Sequence, residues 1–428
     1  PARGPSGIGG GLNTARGLLA NFCLMSFSMS VSHACVTALI SIASTVDSKL
    51  FAGTINGTLY GAYALSSLLC ANGALGRFGS KWTLALGLLL LQGYAAAFLV
   101  ARHTSGNTRF AVAVAASAVA GVGAGLLWTA QASFFNATAK RYARVAEIPF
   151  ERATALVTSL FAFFYLGCEV ILKVSLSLPG VLERTDVLFA VFFALSVAGT
   201  LGMVVVRPVA VPPDLLGTQS ACSKVTAAAH IAATDPKITL MAPYNFTFTF
   251  CGVFVDQYTN AHVLQKWEVG LFSAGVVAAA VLSSSAFGVL NLRTATPKLV
   301  PMLLGSAVFC FFAVAFMVQG DAALAANRPL LIAVYAAFGL GRGVWESTMK
   351  AVFADYFGGD SGYDEGQKNA AFSHIPVQNG VMGAVGFFLL GNAQDPRAFA
   401  PRMLLGIALA GAAAYLGAEA LFRRERRR

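Results

Sequence analysis

The stretch GVGAGLLW at residues 121–128 is matched, half a chain later, by GLGRGVW at residues 339–345. The glycines of the two stretches are 218 positions apart, and Trp128 and Trp345 are 217 apart. Each stretch lies in a long apolar run, and its first and last glycines stand four residues apart, on one face of a helix. Glycines at this spacing let a neighbouring helix approach closely. The repeat therefore predicts a chain built from two related halves.

Polar residues inside apolar runs repeat at nearly the same offset, 219 positions. In each half they recur every three or four residues, which places them along one stripe of a helix. We interpret the stripes as walls of a hydrated cavity that a ligand contacts, with Trp128 and Trp345 lining it or filling the seam between helices. The alternative is that the hydroxyl groups bond within their own helices, that the tryptophans only pack, and that Asp256 is a helix-end group rather than an outer-mouth residue. The first stripe is Ser26, Ser30, His33 and Thr37, and the second is Asn245, Thr249, Gly252 and Asp256.

The composition is that of a membrane protein. Of the 428 residues, 57% are hydrophobic and 11% are charged, which is far more apolar than a soluble domain. Apolar runs of about 20 residues, each long enough to cross a ~30 Å hydrocarbon core as a helix, recur along the chain. The sequence therefore predicts an all-α polytopic protein in a lipid bilayer, and its net charge of +11 does not indicate nucleic-acid binding. The twelve predicted spans are 17–40, 54–75, 82–101, 110–135, 153–175, 186–206, 238–260, 269–291, 299–319, 329–353, 370–391 and 400–422.

The Lys and Arg residues are distributed unevenly between the two sides of the membrane. When residues near a span end are counted with the adjacent loop, twenty of the 30 lie on the side of the termini and nine on the other side, while Arg342 lies in the middle of a span and is assigned to neither. Because cytosolic loops carry the excess of positive charge, the bias predicts that both termini are in the cytosol. The predicted organisation is an inner tail at 1–16, a six-helix bundle at 17–206, an inner linker at 207–237, a second six-helix bundle at 238–422 and a basic tail at 423–428.

Five stretches spread over the chain carry a family resemblance. They are TLYGAYALSSLLCANGALGRFGSKWTLALG at 58–87, GAGLLWTAQASFF at 123–135, FCGVFVDQYTN at 250–260, GLGRGVWES at 339–347 and AAFSHIPVQNGVMGAVGFF at 370–388. The layout of two six-span halves joined by an inner linker resembles the major facilitator superfamily, in which the first, fourth, seventh and tenth spans line a central cavity. The stretches themselves resemble, more narrowly, the Unc-ninety-three family, whose members are described as ion-channel regulators, trafficking chaperones or orphan carriers.

The turn between the second and third spans departs from the superfamily's pattern, which places an acidic residue before an arginine. Gly76 stands at the acidic position, and Arg77, Gly79 and Lys81 follow it. In many carriers of the superfamily that acid is thought to hold a gate between conformations. The resemblance therefore implies an inner gate turn at Arg77, Gly79 and Lys81 without its usual acid, which argues against ordinary alternating access.

Four of the charged residues inside predicted spans form two pairs. Arg342 and Glu346 are four residues apart in the tenth span, and Glu169 and Lys173 are four apart in the fifth. Each pair shares one helix face. Since a lone Arg at the centre of a span costs ~2.5–3.5 kcal/mol on insertion scales, we expect each pair to neutralise itself and to face the protein interior. Each is then either a structural pair or part of a substrate or gating site. Because these acids are held by bases, and no other acid lies deep in a span, proton symport is disfavoured.

The sequence contains no nucleotide-binding loop, metal-ligand cluster or catalytic triad, so no enzyme, cofactor or metal site is predicted. Three functions fit the remaining features. The first is a regulator or chaperone of an ion channel or another membrane protein, favoured by the family resemblance and by Gly76. The second is a facilitative carrier of a small polar solute, favoured by the matched polar stripes. The third is a structural subunit of a large membrane assembly, favoured only by the Gly-rich and Ala-rich helices.

Overall fold

A computed structural model describes residues 10–209, 221–293, 298–357, 363 and 365–427. Within these ranges the chain is helical, and no strand occurs. A short 3-10 helix at Gly10–Asn13 precedes the first long helix, and π-helical segments occur at Val255–Thr259 and Trp345–Met349. The α-helices are α1 (Ala15–Val46), α2 (Lys49–Leu69), α3 (Ala71–Arg102), α4 (Gly106–Val145), α5 (Phe150–Ser175), α6 (Thr185–Val205), α7 (Ala221–Thr234), α8 (Pro236–Phe254), α9 (Asn260–His262), α10 (Glu268–Arg293), α11 (Leu299–Val318), α12 (Asp321–Ala326), α13 (Arg328–Val344), α14 (Lys350–Phe357), α15 (Glu365–Asn392) and α16 (Pro396–Arg426).

The fold is that of an all-α polytopic membrane protein with twelve passes in two pseudo-symmetric bundles of six. The passes are α1 to α6, α8 continued through α9, α10, α11, α13 continued through α14, α15 and α16. Nine of them, counted over the described residues, are long and apolar enough to cross a membrane by length and composition. The other three are α2 and α15, which carry many glycines and polar residues, and the tenth pass, which carries Arg342 and Glu346 near its middle. Helices that face other helices rather than lipid need less apolar surface.

Several passes begin with the residues that favour a helix start. The Thr14 hydroxyl accepts a hydrogen bond from the Gly17 amide at 3.1 Å, and the Asp235 carboxylate accepts one from the Lys237 amide at 2.9 Å. These side chains satisfy amides that have no partner inside the helix. A proline in the first turn of α8, α13 and α16 adds to this, because its fixed φ suits the position and its missing N–H is not needed there.

The second pass is displaced from its predicted position. Helix α2 occupies 49–69 rather than 54–75, and residues 71–78, expected to end that span and form the turn, are helical. The break falls at Gly79, whose φ of 72° lies in the left-handed region that favours glycine. Other passes, such as α4 and α16, extend beyond their apolar runs because their polar ends continue the helix.

The two halves pack in the same way. Helix α4 packs against α2 and α3, as α13 packs against α10 and α11, while α1 packs against α5 and α6, as α8 packs against α15 and α16. The repeated glycines make the first set of contacts close. A Cβ at Gly125 would lie 2.7 Å from the Ser67 amide nitrogen, and one at Gly343 would lie 2.8 Å from the Ala280 carbonyl oxygen. The predictions of two related halves and of close helix approach at these glycines are confirmed.

The halves meet through α2 with α15, α5 with α10, and α1 with the end of the seventh pass. We call the end of the bundle that holds both chain termini the termini face, and the other end the opposite face. Hydrogen bonds between the halves gather at the opposite face, so the halves are closed against each other there. They run from Ser44 Oγ to Asp256 O (2.6 Å), Asn260 Nδ2 to Ser41 O (2.9 Å), Gln257 Nε2 to Lys49 O (2.6 Å), Lys49 Nζ to Ala393 O (2.7 Å) and the Leu271 amide to Ser177 Oγ (2.9 Å).

The predicted linker contains helix α7, which lies on the termini face. Its Ala228 and Ile231 are buried against the second half, and the His374 ring contacts the Ala228 carbonyl at 3.0 Å. Just after α7, Asp235 accepts a hydrogen bond from the Tyr363 hydroxyl. Burial and this hydrogen bond raise the pKa of Tyr363, which keeps the hydroxyl protonated as a donor. Helix α7 and the residues that follow it are therefore held against the second half, whereas Arg207 at the start of the linker is hydrogen-bonded to Asn21 of α1. Residues 210–220 of the linker, residues 1–9 and Arg428 lie outside the described residues.

Candidate functional site

A chain of four charged side chains crosses from one half to the other. The Lys173 ammonium lies 2.8 Å from Oε1 of Glu169. Both Glu169 oxygens accept hydrogen bonds from Arg342, Oε1 from Nη1 at 2.9 Å and Oε2 from Nη2 at 2.8 Å. Nε of Arg342 donates to Glu346 Oε1 at 2.7 Å. The Glu169 side chain is 1% exposed and that of Arg342 is 11%. These four residues form one neutral group, the central charge cluster.

The expectation that the two pairs are separate is wrong. Both predicted pairs form, but Arg342 on α13 also binds Glu169 on α5. The two helices run in opposite directions, and Cα–Cβ bonds tilt toward the N-terminus of their helix. Arg342 therefore extends toward the opposite face and Glu169 toward the termini face, so that their charged groups meet. Counting residues along each span locates only the Cα atoms, so it does not show that the charged groups of the two pairs meet.

Arg342 lies in the middle of its pass, fifteenth of the 30 residues between Arg328 and Phe357. The planar guanidinium presents parallel N–H groups that match both oxygens of a carboxylate, which a lysine ammonium cannot do. A buried charge is tolerated only when it is paired, and removal of one partner leaves the other uncompensated. The Arg342–Glu169 contact therefore holds α5 and α13 together by bonds that can open without unfolding either helix.

Aromatic rings flank the central charge cluster in both halves. In the first half, His33 lies edge-on to Trp128 with centroids 5.2 Å apart, and Tyr165 lies 5.1 Å from His33 and 5.7 Å from Trp128. In the second half, Trp345 stacks on Phe248 at 4.3 Å and 14°. His33 and Tyr165 are within electrostatic range of the charges of the central charge cluster. Trp128 thus lies against a ring of α1, the first pass of the first half, and Trp345 lies against a ring of α8, the first pass of the second half. The two tryptophans occupy matching places.

The first polar stripe is only partly satisfied by its own helix. Ser30 Oγ donates to the Ser26 carbonyl at 2.5 Å, and Thr37 Oγ1 donates to the Ala34 carbonyl at 3.2 Å, as the alternative interpretation expects. Ser26 Oγ and His33 Nδ1 are buried and have no hydrogen-bond partner among the described residues. These two atoms are left for a ligand or water.

The second polar stripe is engaged by neighbouring helices. Its side chains join α8 to α15 and to the tenth pass, while Gly252 leaves room for the ring of Phe338. A role in ligand contact stays a prediction for this stripe. The bonds run from Asn245 Nδ2 to Gln378 Oε1 (2.5 Å), Trp345 Nε1 to Asn245 Oδ1 (2.8 Å) and Thr249 Oγ1 to Asn379 Oδ1 (2.8 Å).

Asp256 lies in the first π-helical segment, at the seam between the halves on the opposite face. Its Oδ1 accepts a hydrogen bond from Asn260 at 3.3 Å, and its carbonyl accepts one from Ser44. Over the part of the chain that the structure describes, no Lys or Arg nitrogen lies within 4.0 Å of its carboxylate. This position is compatible with either predicted role, at the mouth or at a helix end.

The predicted gate turn lies on the termini face. The Lys81 ammonium donates to the Val204 carbonyl at 2.8 Å and lies 4.5 Å from the Trp82 ring, so it ties α3 to the end of α6 within the first half. The Arg77 guanidinium is 5.7 Å from the Phe78 ring centroid, and Gly79 makes the backbone break. The gating role of Arg77, Gly79 and Lys81 stays a prediction.

Lys350 and Tyr165 join the site although the sequence did not single them out. Lys350 is exposed, and its nitrogen lies 4.9 Å from the Trp345 ring centroid, within electrostatic range of Glu346 and Arg342. Near the end of a predicted span it reads as an ordinary loop cation. One signal was available, because Lys350 stands four residues after Glu346 and eight after Arg342 and so continues their stripe.

Several solved structures share this architecture. The nucleoside transporter NupG aligns with a TM-score of 0.65 and 13% identity, over 95% of this chain and 99% of that one. The inward open xylose transporter XylE from E. coli aligns at 0.61 and 13%, over 94% of each chain. The E. coli fucose:proton symporter FucP aligns at 0.61 and 16%, over 94% of this chain and 97% of that one. No protein-family model matches the sequence.

The molecule is thus a multi-pass membrane protein that shares its fold with these solved transporters. At these identities the likeness concerns the fold alone. The fold is that of the major facilitator superfamily.

Proposed function

We propose that this protein is a secondary carrier that binds a small polar solute between its two halves, beside the central charge cluster. The observation that carries the proposal is the cluster itself. Ionisable groups inside a membrane span are costly and mark substrate or ion pathways. This cluster joins the two halves at mid-depth rather than serving the packing of one half. The structurally similar proteins are, by name, transporters of a nucleoside, xylose and fucose, which supports the same class.

The contacts between the halves support a rocking mechanism. At the opposite face the backbones of α2 and α15 approach so closely that a Cβ at Gly53 would lie 2.6 Å from the Gly391 Cα. Small residues let such surfaces separate without entangled side chains. For α5 to leave α13, the bidentate bond between Arg342 and Glu169 must open, and a bound solute with acceptor groups would compensate Arg342 at that moment. With the termini in the cytosol, as the charge bias predicts, the closed face is the external one.

A regulator or chaperone of an ion channel or another membrane protein is the second candidate. Two features of the gate turn favour the regulator or chaperone. Gly76 stands where an acid is expected, and Lys81 is hydrogen-bonded within the first half, so the turn lacks a charged partner for a gate. The resemblance to the Unc-ninety-three family supports the same reading. Co-purification of a channel subunit with the full chain from native membranes is the expected result for this function.

Reconstitution into liposomes tests the carrier. Counterflow of a panel of labelled neutral, cationic and anionic small solutes is measured for the wild type and for Glu169→Gln. The variant keeps the shape of the side chain but removes the charge that holds Arg342. We expect flux of at least one solute in the wild type and at least a tenfold change in the variant, equivalent to about 1.4 kcal/mol.

Lys298→Gln is the matched control, because its ion pair with Asp355 lies at the protein surface. It should leave the flux within a factor of about two, as expected for an exposed pair. A folded, reconstituted protein that moves no solute of the panel would contradict the carrier and favour the second candidate.

A further inference from the structure

The central charge cluster does not supply a counter-charge for Lys350. The cluster holds two cations and two carboxylates and is neutral. Lys350 adds a third cation on the same stripe as Arg342 and Glu346. Within the described residues, no carboxylate lies within 4.0 Å of its nitrogen. The carboxylates of the central charge cluster are therefore engaged by Arg342 and Lys173, and Lys350 is left without a carboxylate partner of its own among the described residues.

The Lys350 ammonium is turned to water rather than to lipid. It is exposed, yet it stands only seven residues, or about 10 Å, before the end of the tenth pass. A charge at that level of a membrane protein faces a water-filled space or the protein interior. Its nearest aromatic neighbour, Trp345, is stacked on Phe248 and is half-buried, so an apolar wall lies beside the free cation.

We propose, on the basis of the carrier function above, that the solute is a small organic monoanion whose anionic group binds Lys350 and whose apolar part lies along Trp345. One negative charge gives Lys350 the counter-charge that no described carboxylate supplies, and a neutral pair costs far less to hold or to move at membrane depth than a lone charge.

The missing counter-charge also disfavours other classes of solute. A cation would place a like charge beside Lys350. A neutral solute would leave the ammonium without a counter-charge while displacing its water. An anion can also compete with Glu169 for Arg342, so its arrival would loosen the bond that holds α5 to α13. Recognition of the anion and release of the halves would then be one event.

Fluorescence quenching tests the sign of the site without knowledge of the natural solute. The full chain is purified with Trp82→Phe, Trp128→Phe and Trp267→Phe, so that Trp345 remains the reporter. Quenching by iodide, caesium and acrylamide is measured at constant ionic strength before and after Lys350→Gln. Removal of one charge at about 6 Å in a watery site should lower the iodide quenching constant about threefold, raise that of caesium and leave that of acrylamide unchanged.

The control is Lys81→Gln, since Lys81 stands in the same relation to Trp82, with its nitrogen 4.5 Å from that ring. It should leave quenching of Trp345 unchanged. If the triple variant does not purify as one folded species, the native chain is used and the difference between wild type and Lys350→Gln is assigned to Trp345. Equal iodide quenching in wild type and Lys350→Gln would overturn the proposal.

Liposome uptake separates failure of this inference from failure of the carrier function. Benzoate and benzamide share a ring and a shape but differ in charge. Flux or competition by benzoate alone supports the monoanion. Flux or competition by benzamide alone would overturn the proposal of a monoanionic solute but not the proposed carrier function. A folded protein that moves no solute of any class would overturn both proposals.

Discussion

The two halves share a scaffold and differ in chemistry. Both place a pair of glycines four apart on the fourth pass of the half, against the second pass. In the first half that row reads GVGAG, and Ala124 stands at the position that Arg342 takes 218 residues later. The first half also keeps α1 and α4 unbroken over 32 and 40 residues, whereas π-helical segments interrupt the corresponding passes of the second half.

This difference separates what the fold requires from what it does not. The glycines recur because two helices cannot approach so closely in either half without them. The arginine and the π-helical segments occur on one side only, so the packing of a six-helix bundle does not demand them. Each segment also carries an acid, Asp256 in one and Glu346 in the other. Because π-helical turns are frequent at functional sites, the second half is the one that we expect to carry the chemistry.

The largest effect is expected from removal of the asymmetric charge. Arg342→Ala takes the guanidinium away from the buried Glu169 and the half-buried Glu346 and should lower the free energy of unfolding by roughly 3–5 kcal/mol. Denaturant titration of the purified chain in detergent measures this. Ala124→Gly at the corresponding place removes no charge and should cost about 1 kcal/mol or less. A loss below 1 kcal/mol for Arg342→Ala would mean that the cluster does not hold the halves together.

A smaller effect, equal in the two halves, is expected at the shared glycines. Gly125→Ala and Gly343→Ala each place a Cβ within 3 Å of backbone atoms on a neighbouring helix. Each should cost about 1–3 kcal/mol, because a well-packed contact must open. Thermal unfolding of both variants provides the comparison.

Gly167→Ala is the control for both glycine variants, since nothing lies within 4 Å of a Cβ there. It should stabilise its helix by about 0.5–1 kcal/mol. Destabilisation by only one of the two substitutions would break the symmetry of the scaffold.

The smallest effect is expected at the matched tryptophans. Trp345→Phe loses the 2.8 Å hydrogen bond from Nε1 to Asn245, whereas the indole nitrogen of Trp128 makes no hydrogen bond within the described residues. Trp345→Phe should therefore lower the free energy of unfolding by about 0.5–1.5 kcal/mol more than Trp128→Phe. Unfolding of the two variants under identical conditions gives the difference. Equal losses would show that the hydrogen bond contributes nothing measurable and that both rings serve packing alone.

Much of this architecture could be read from local patterns. Long apolar runs predicted the passes, because the length and hydropathy of a membrane helix are properties of that helix alone. The 218-residue offset predicted the two halves, because the same close helix contact needs glycine in both. Errors arose where helices end. The second pass starts earlier than its apolar run because Lys49 and its neighbours are held by hydrogen bonds to the other half rather than by hydropathy.

The candidate site was only partly readable for the same reason. The pairs Arg342–Glu346 and Glu169–Lys173 could be predicted because residues four apart on a helix must be neighbours. The contact between Arg342 and Glu169 spans 173 positions and depends on two antiparallel helices whose side chains lean toward each other. Lys350 stands three residues before the predicted end of the tenth span, where a cation is ordinary, whereas the helix continues to Phe357.

The sequence by itself determined a membrane protein of duplicated helices, since hydropathy and helical spacing act over about 20 residues and need no partner to be recognised. Only the tertiary structure decided which charges meet, which hydroxyls stay unpaired and which cation has no counter-charge. Those outcomes depend on distances between helices far apart in the chain, and at membrane depth such distances determine whether an ionised group is stable.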